Sequence, residues 1–593
     1  MSAMPISLGV CVLPAPNPNA ARAVRYPEYI HEILSHVGLC YAAIPYTELE
    51  SRLTELEILI TVGEGKLPDA VRTWIENGGA WLSLSGLCGL GDLLGAEPLP
   101  ATYSLWASGL RSLGEGYLPP SNLSPNPSPG RSYFAGKGAS ENASPFPSEA
   151  RTPGRGGKGE RLTGGLHFFG GIAAQARKNA TVLATCTDSH GRPTELPGIL
   201  AHGKCRLIAP DLVGSIVYIQ QGRAITRDGI PSSDGTGPTH DGVLKSDDGQ
   251  VLDWHLDRQP VPGVPGLSGF LTPVADAWVE LLLQNIFELA SLQNIALSLL
   301  WYHPDGAIAQ GHLSHDTDGN NPLDAEALLT ALEEADAPGA WCVILPGYEA
   351  ELMTKIADAG HELATHYDAL DHPWSEEEFR SQYDRLVALF GEVPVTNKNH
   401  YLRWQGDTEF YGWLERVGIV LDQSKGASKT GEVGFNFGTC HLYRPVAPDG
   451  TVLPVWELPT PTQDLCIFAP PEVATPILDA AERFYGIAHF LFHPAHLRKP
   501  GVADALKAVV AEGKRRGIVW RTGRELVAWE RARRKAVWRD AETLEFPEPL
   551  PGATILTLDP SGDVERWGYK FRISTSPPAP SPGRSCLTGK GES

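Results

Sequence analysis

The chain has no run of eighteen apolar residues, so it offers no transmembrane helix. It also has no Cys-x-x-Cys pair, because its nine cysteines are scattered singly. That excludes a cysteine zinc site and favours reduced, buried thiols in a cytoplasmic protein over a disulfide framework. Basic charge is scarce: 49 Lys and Arg face 70 Asp and Glu, a net of −21. Nucleic acid and anionic membranes are therefore excluded as main partners. No basic segment followed by an apolar one opens the sequence. Leu8-Gly9-Val10-Cys11-Val12-Leu13 reads as a first core strand and not as a signal peptide.

What is present is an ordinary globular composition, 42% apolar over 593 residues, enough for two large domains or three smaller ones. Residues 1–295 alternate strand and helix patterns. Leu56 to Val62 reads as a buried strand, Pro68 to Asn77 as a helix and Ala80 to Leu84 as the next strand. Cys205 to Ala209 and Ser215 to Ile219 read as further strands, and Ala275 to Leu292 as a long helix. This is a doubly wound α/β plan. Residues 120–163, rich in Pro, Gly, Ser and Arg, interrupt it and read as a disordered insertion. Their Ser128-Pro129-Gly130-Arg131-Ser132 recurs as Ser581-Pro582-Gly583-Arg584-Ser585 in a low-complexity tail over 576–593.

From 297 to 535 the alternation resumes, and residues 536–575 carry two strands of a possible truncated β-module. Helices are expected over Asp324 to Ala335, over Ser375 to Phe390 (opened by a Ser-x-x-Glu capping box) and over Phe410 to Val417. Within this half, Asp316-Thr317-Asp318-Gly319 follows an apolar run, so both carboxylates are expected at one strand end. Gly360-His361-Glu362-Leu363-Ala364-Thr365-His366 brings a histidine to the end of a neighbouring strand. Such oxygen and nitrogen donors suit a metal that keeps one position for water. A second, unbound carboxylate nearby would take a proton from that water.

Residues 297–530 resemble the polysaccharide deacetylase (NodB-like) family, metal-dependent amide hydrolases on a distorted (β/α) barrel. The resemblance rests on Asp316-Thr317-Asp318-Gly319, on Gly360 to His366, and on Phe490-Leu491-Phe492-His493. It implies Asp316 as general base, Asp318 and His366 as ligands of a divalent metal, zinc by preference, and His493 as general acid. The chain departs from the family at Leu370, where a second metal histidine is usual, and lacks the family's Arg-Pro-Pro-Tyr motif. Asn399-His400-Tyr401-Leu402-Arg403 stands in its place, so His400 is the preferred third ligand and His372 the reserve. Arg403 is left to orient Asp316 or to hold substrate. The implied reaction is hydrolysis of a non-peptide carbon–nitrogen amide bond, N-deacetylation of a saccharide first and a small amide second. The alternative is an inactive deacetylase-like barrel that binds carbohydrate, and homo-oligomer formation stays open.

The N-terminal half resembles class I glutamine amidotransferase-like (flavodoxin-like) domains. Cys88 lies a few residues past the strand end where their nucleophile would stand, and no later His-x-Glu pair follows. A non-catalytic binding or assembly role is expected. Gly63-Glu64-Gly65-Lys66 is too short for a phosphate-binding loop.

Overall fold

The computed structural model describes residues 6–15, 24–99, 108–112, 165–188, 191–229, 240–429 and 431–575. The insertion expected at 120–163 and the tail at 576–593 lie outside the described residues. No helix among the described residues is long and apolar enough to cross a membrane.

Short apolar runs of the N-terminal half become buried strands: Leu8–Val12, Ala42–Ala43, Ile58–Val62, Ala80–Leu84 and Cys205–Ile208. They lie side by side in parallel, in the order 42–43, 8–12, 58–62, 80–84, 205–208. The sheet then continues antiparallel through Pro193–His202, Thr181–Thr187, Ser108–Ser112 and Leu166–Phe168, nine strands in all. It is a mixed sheet, and it does not establish the flavodoxin-like, doubly wound domain expected from the sequence. One element differs outright. Ser215–Ile219, expected as a strand, lies inside the helix Leu212–Gln221. That helix is buried on nearly every side, so its sequence has no polar stripe to betray the helical period. Asp211 starts it by accepting from the Gly214 N–H at 2.8 Å.

The C-terminal half is a curled sheet of eight strands, all parallel. Its order is Trp456–Glu457, Leu421–Asp422, Thr396–Asn399, Glu362–Tyr367, Ala340–Val343, Gln310–Asp316 and Ile487–Leu491, with Val519–Arg521 also pairing Gln310–Asp316. A single bridge between Gln463 and Leu491 links the two open sides. Helices return the chain between strands, among them Pro322–Ala335, Ala350–Asp358, Glu376–Phe390 and Glu409–Val417. Ser375 caps the third of these by accepting from the Glu378 N–H. Parallel strands gather their C-terminal ends on one face, which is where such barrels place chemistry.

The two halves are tied together. Leu299 of the strand Ser298–Leu300 bridges to Leu39 of the N-terminal half, and the same strand pairs antiparallel with Thr554–Leu558, which pairs in turn with Tyr569–Thr575. Glu280 on the helix Val274–Gln293 receives both short contacts of Arg483, at 2.7 and 2.8 Å. One apolar core runs from Leu8 through Trp278 and Trp341 to Phe571.

Asp211→Ala should lower unfolding free energy by about 2 kcal/mol, because it orphans the N–H groups of Gly214 and Arg25 together. Asp211→Asn should lose less. Urea midpoints of the two variants against the parent give the comparison.

Candidate metal and acid–base site

The strand Gln310–Asp316 ends on its aspartate, and Asp318 stands two residues beyond. The turn is fixed by Thr317 Oγ1, which donates to Asn320 Oδ1 at 2.9 Å and accepts from the Ile344 N–H at 3.2 Å. It reverses through two left-handed residues, Gly319 (φ 75°) and Asn320 (φ 46°). His366 arrives from Glu362–Tyr367, which does not adjoin the aspartate strand as expected, since Ala340–Val343 lies between them. His400 follows Thr396–Asn399. It opens a turn in which Tyr401 and Leu402 also take positive φ, 58° and 49°.

These residues converge. His366 Nε2 lies 3.3 Å from Asp318 Oδ1, and His400 Nε2 lies 3.6 Å from Asp318 Oδ2. One ligand atom from each of Asp318, His366 and His400 falls within 4.8 Å of the others. His366 Nδ1 faces the Lys398 carbonyl at 2.8 Å and must carry the proton there. Its Nε2 is then a lone pair aimed at a carboxylate oxygen, and both atoms are buried with no hydrogen-bond partner. Two acceptors facing each other call for a cation between them, so the donor set fits a divalent metal. His400 is held similarly from behind, its Nδ1 3.1 Å from Asp368 Oδ1.

Asp316 flanks the cluster, its Oδ2 3.9 Å from His366 Nε2 and 4.0 Å from His493 Nε2. His493 follows Ile487–Leu491 and presents Nε2 3.8 Å from Asp318 Oδ2. Its Nδ1 makes a very short contact to Asp464 Oδ2, and Asp464 Oδ1 also accepts the His493 N–H at 2.8 Å. Burial disfavours a charged His493, but the Asp464 carboxylate outweighs it and pushes the imidazole up to about 9. His496 also approaches Asp464 Oδ2, at 3.1 Å.

Two residues singled out from the sequence lie elsewhere. His372 is half exposed and faces Glu378 at 3.4 Å, outside the cluster, because its loop turns away before the capped helix begins. Arg403 does not reach Asp316: its guanidinium donates to the Leu244 and Trp404 carbonyls and to Gln405, and covers the Trp374 ring. The cation beside Asp316 is Lys398, fully buried, with Nζ 3.6 Å from Asp316 Oδ1. Lys398 also donates to Ser314 Oγ at 2.5 Å, and Ser314 Oγ in turn meets His489 Nε2 at 2.8 Å. Asp464 carried no motif, whereas the alternation in Thr396-Asn397-Lys398-Asn399 aims Lys398 into the barrel. Trp301, Trp404 and Tyr302 are buried and unavailable for stacking on a ligand. His361 accepts from the Gly339 N–H and takes no part in the site.

Above these groups opens a cleft of about 640 Å³ lined by Asp316, Asp318, Tyr401, Lys245, Phe468 and His493 among others. Tyr401 and Phe468 are its exposed aromatics, each about half accessible. In the N-terminal half, Cys88 is buried, and burial followed by Glu64 pushes its thiol up to about 12. It is no nucleophile at neutral pH.

No protein-family model matches this sequence, and no curated protein matches it. Solved structures do. A Mycobacterium smegmatis protein assigned as a polysaccharide deacetylase matches at 20% identity and TM-score 0.30, over 38% of this chain and 91% of that one. The peptidoglycan deacetylase PdaC of Bacillus subtilis matches at 14% identity and TM-score 0.23, over 37% and 90%. A family 4 acetyl xylan esterase from Clostridium thermocellum, solved with a cobalt ion, matches at 15% identity and TM-score 0.24, over 37% and 90%. The amidotransferase-like resemblance of the N-terminal half finds no support in these matches.

Asp464 is buried, yet His493 and His496 overcome the burial and hold its carboxyl down at about 2 against an ordinary 3.8. A depressed carboxyl stabilises the fold above its ordinary value and loses that contribution as pH falls toward 2, on the order of 2 kcal/mol. Asp464→Asn should therefore lower the melting temperature near neutral pH and flatten the acid limb of the stability profile. An unchanged acid limb would remove Asp464 from this role.

Proposed function

We propose that the C-terminal barrel is a metal-dependent hydrolase of carbon–nitrogen amide bonds, and that its substrate is an N-acetylated saccharide. The observation that carries this reading is the lone pair of His366 Nε2 facing Asp318 Oδ1 at 3.3 Å, both buried and unpartnered. Asp318, His366 and His400 would hold the metal, which when bound supplies a Lewis acid for the amide carbonyl and an acidified water.

The chain's own residues divide the proton work. Asp316 takes the proton of the attacking water, and Lys398 at 3.6 Å orients the carboxylate for that task. Water adds to the acyl carbon, the C–N bond breaks, and the departing nitrogen needs a proton. His493 Nε2 gives it, since Asp464 keeps the imidazole protonated at neutral pH. The products are a carboxylic acid and a free amine. The cleft supports a saccharide because Tyr401 and Phe468 stand exposed at its walls, and a sugar ring stacks on such faces.

Asp316→Asn should lower turnover of N-acetylglucosamine oligomers about 10²–10⁴-fold while transition-metal content, measured by elemental analysis, stays at the parent's level. Asp318→Asn should lose metal and activity together. If Asp316→Asn strips the metal and Asp318→Asn keeps it, the roles are exchanged.

Lys398→Met should depress turnover, whereas His372→Ala and Arg403→Ala should leave it within a few-fold of the parent. Steady-state rates for the three variants decide which cation serves Asp316. Parent protein that holds metal yet turns over neither saccharide nor small amide favours a carbohydrate-binding barrel.

A further inference from the structure

A second cluster lies at the far wall of the same cleft, where the N-terminal half meets the barrel. Asp247 sits in the turn Ser246–Gly249, and Gln250 follows it. Across from them is a loop carrying Glu432 and Asn436, bent through Gly431 (φ 80°), Gly434 (φ 94°) and Gly438 (φ 62°). All four side chains are buried: Asp247 is 0% exposed, Gln250 and Asn436 are 1%, and Glu432 is 5%. Asp247 and Gln250 are neighbours of Glu432, and Asn436 Nδ2 lies 3.5 Å from Glu432 Oε1.

The bonding of this cluster is incomplete. Asp247 Oδ2 accepts from the Ser428 N–H, the Ser428 hydroxyl and the Lys429 N–H, at 2.9–3.0 Å. Its Oδ1 has no partner. Neither has Glu432 Oε2, Asn436 Oδ1, nor either polar atom of the Gln250 carboxamide. Lys429 does not neutralise them, since its ammonium is shared between Asp228 and Asp248. Arg258, which donates to the Gly431 carbonyl at 2.7 Å, acts on Glu432, but burial and Asp247 outweigh it and push that carboxyl well above its usual range. Buried polar groups are satisfied almost without exception in folded proteins, and two neighbouring buried carboxylates repel unless something joins them.

A proton or a cation can join two carboxylates. A shared proton satisfies one oxygen pair and leaves Gln250 and Asn436 unanswered. A cation draws on every oxygen at once, and either carboxamide can turn its oxygen inward. The set contains two carboxylates, two amide oxygens, and no nitrogen base or thiolate. That excludes the soft donors zinc prefers and matches hard cations. Paired carboxylates that both give up their protons to a metal call for a divalent ion, and an irregular oxygen cage suits calcium better than octahedral magnesium.

We propose that Asp247, Gln250, Glu432 and Asn436 bind a calcium-class cation that fastens the N-terminal half to the wall of the cleft. The site is separate from Asp318, His366 and His400 and stands whatever reaction the barrel performs. Glu432 lines the cleft, so the cation also fixes the wall against which a substrate lies.

The test uses the full chain, stripped with chelator and reloaded with zinc at the nitrogen-containing site. Calorimetric titration with CaCl2 should then show one further ion per chain and a saturable rise in melting temperature. Glu432→Gln should lose both signals, Asn436→Ala should weaken them, and Asp318→Asn should retain them. If Glu432→Gln does not fold, the titration of the parent still decides. Absence of heat and of any melting shift with calcium or magnesium would overturn the proposal. So would a parent indifferent to calcium whose stability falls as pH rises above about 4.5, the ordinary glutamate value. In that case a proton joins the carboxylates, because a carboxyl raised by burial and by Asp247 stabilises the fold only while protonated.

Discussion

A lysine ammonium sealed inside the half-barrel sets the terms for everything around it. Lys398 is fully buried, and a buried charge is tolerated only where carboxylates and hydrogen-bond acceptors answer it. Ser314 and Asp316, alternate residues of one strand, supply that answer. The same strand therefore cannot be apolar toward the barrel interior, and its neighbours are not. His312, Gln423 and His489 are buried there as well, His312 Nε2 lying 2.8 Å from Gln423 Nε2 and His489 Nε2 2.8 Å from Ser314 Oγ. The interior is a connected polar network, with the apolar packing displaced to the outer face of the sheet against the helices.

That arrangement explains why the site can be both rigid and charged. Each side chain of the cluster is braced by a group behind it: His366 by the Lys398 carbonyl, His400 by Asp368, His493 by Asp464 and Asp316 by Lys398. Bracing fixes ring orientation and tautomer, and so decides which nitrogen faces the site. It also separates two kinds of proton chemistry within a few ångströms. His493 is held protonated by Asp464, while His366, tied through Nδ1 to the Lys398 carbonyl, turns Nε2 toward Asp318.

The N-terminal half is part of this design and no detached appendage. Lys245 enters the cleft from it and pairs with Asp241 at 2.7 Å. The backbone of Lys245 bridges to Arg403, and that of Ile225 to Gly406. These bridges hold Arg403 among Leu244, Trp404 and Trp374, which is why it does not point at Asp316. Each half thus limits the freedom of residues in the other.

Much of the barrel was legible because its signals are local. An apolar run that ends in Asp-x-Asp, a capped helix, and a strand that delivers a histidine are patterns within ten residues, and Asp318, His366 and His400 do meet in space. The helix Leu212–Gln221 was not legible, since burial on nearly all sides erases the polar stripe that marks helical period. The sequence by itself determined which residues stand at strand ends, because strand period and turn chemistry are properties of short segments. Only the tertiary structure decided which cation faces Asp316, which carboxylate braces His493, and that His372 stands apart. Those outcomes depend on register between strands, His366 beside Lys398 for example, and on loops such as the one bearing Asp464. Register is set by packing across the whole sheet, and no short stretch of sequence contains it.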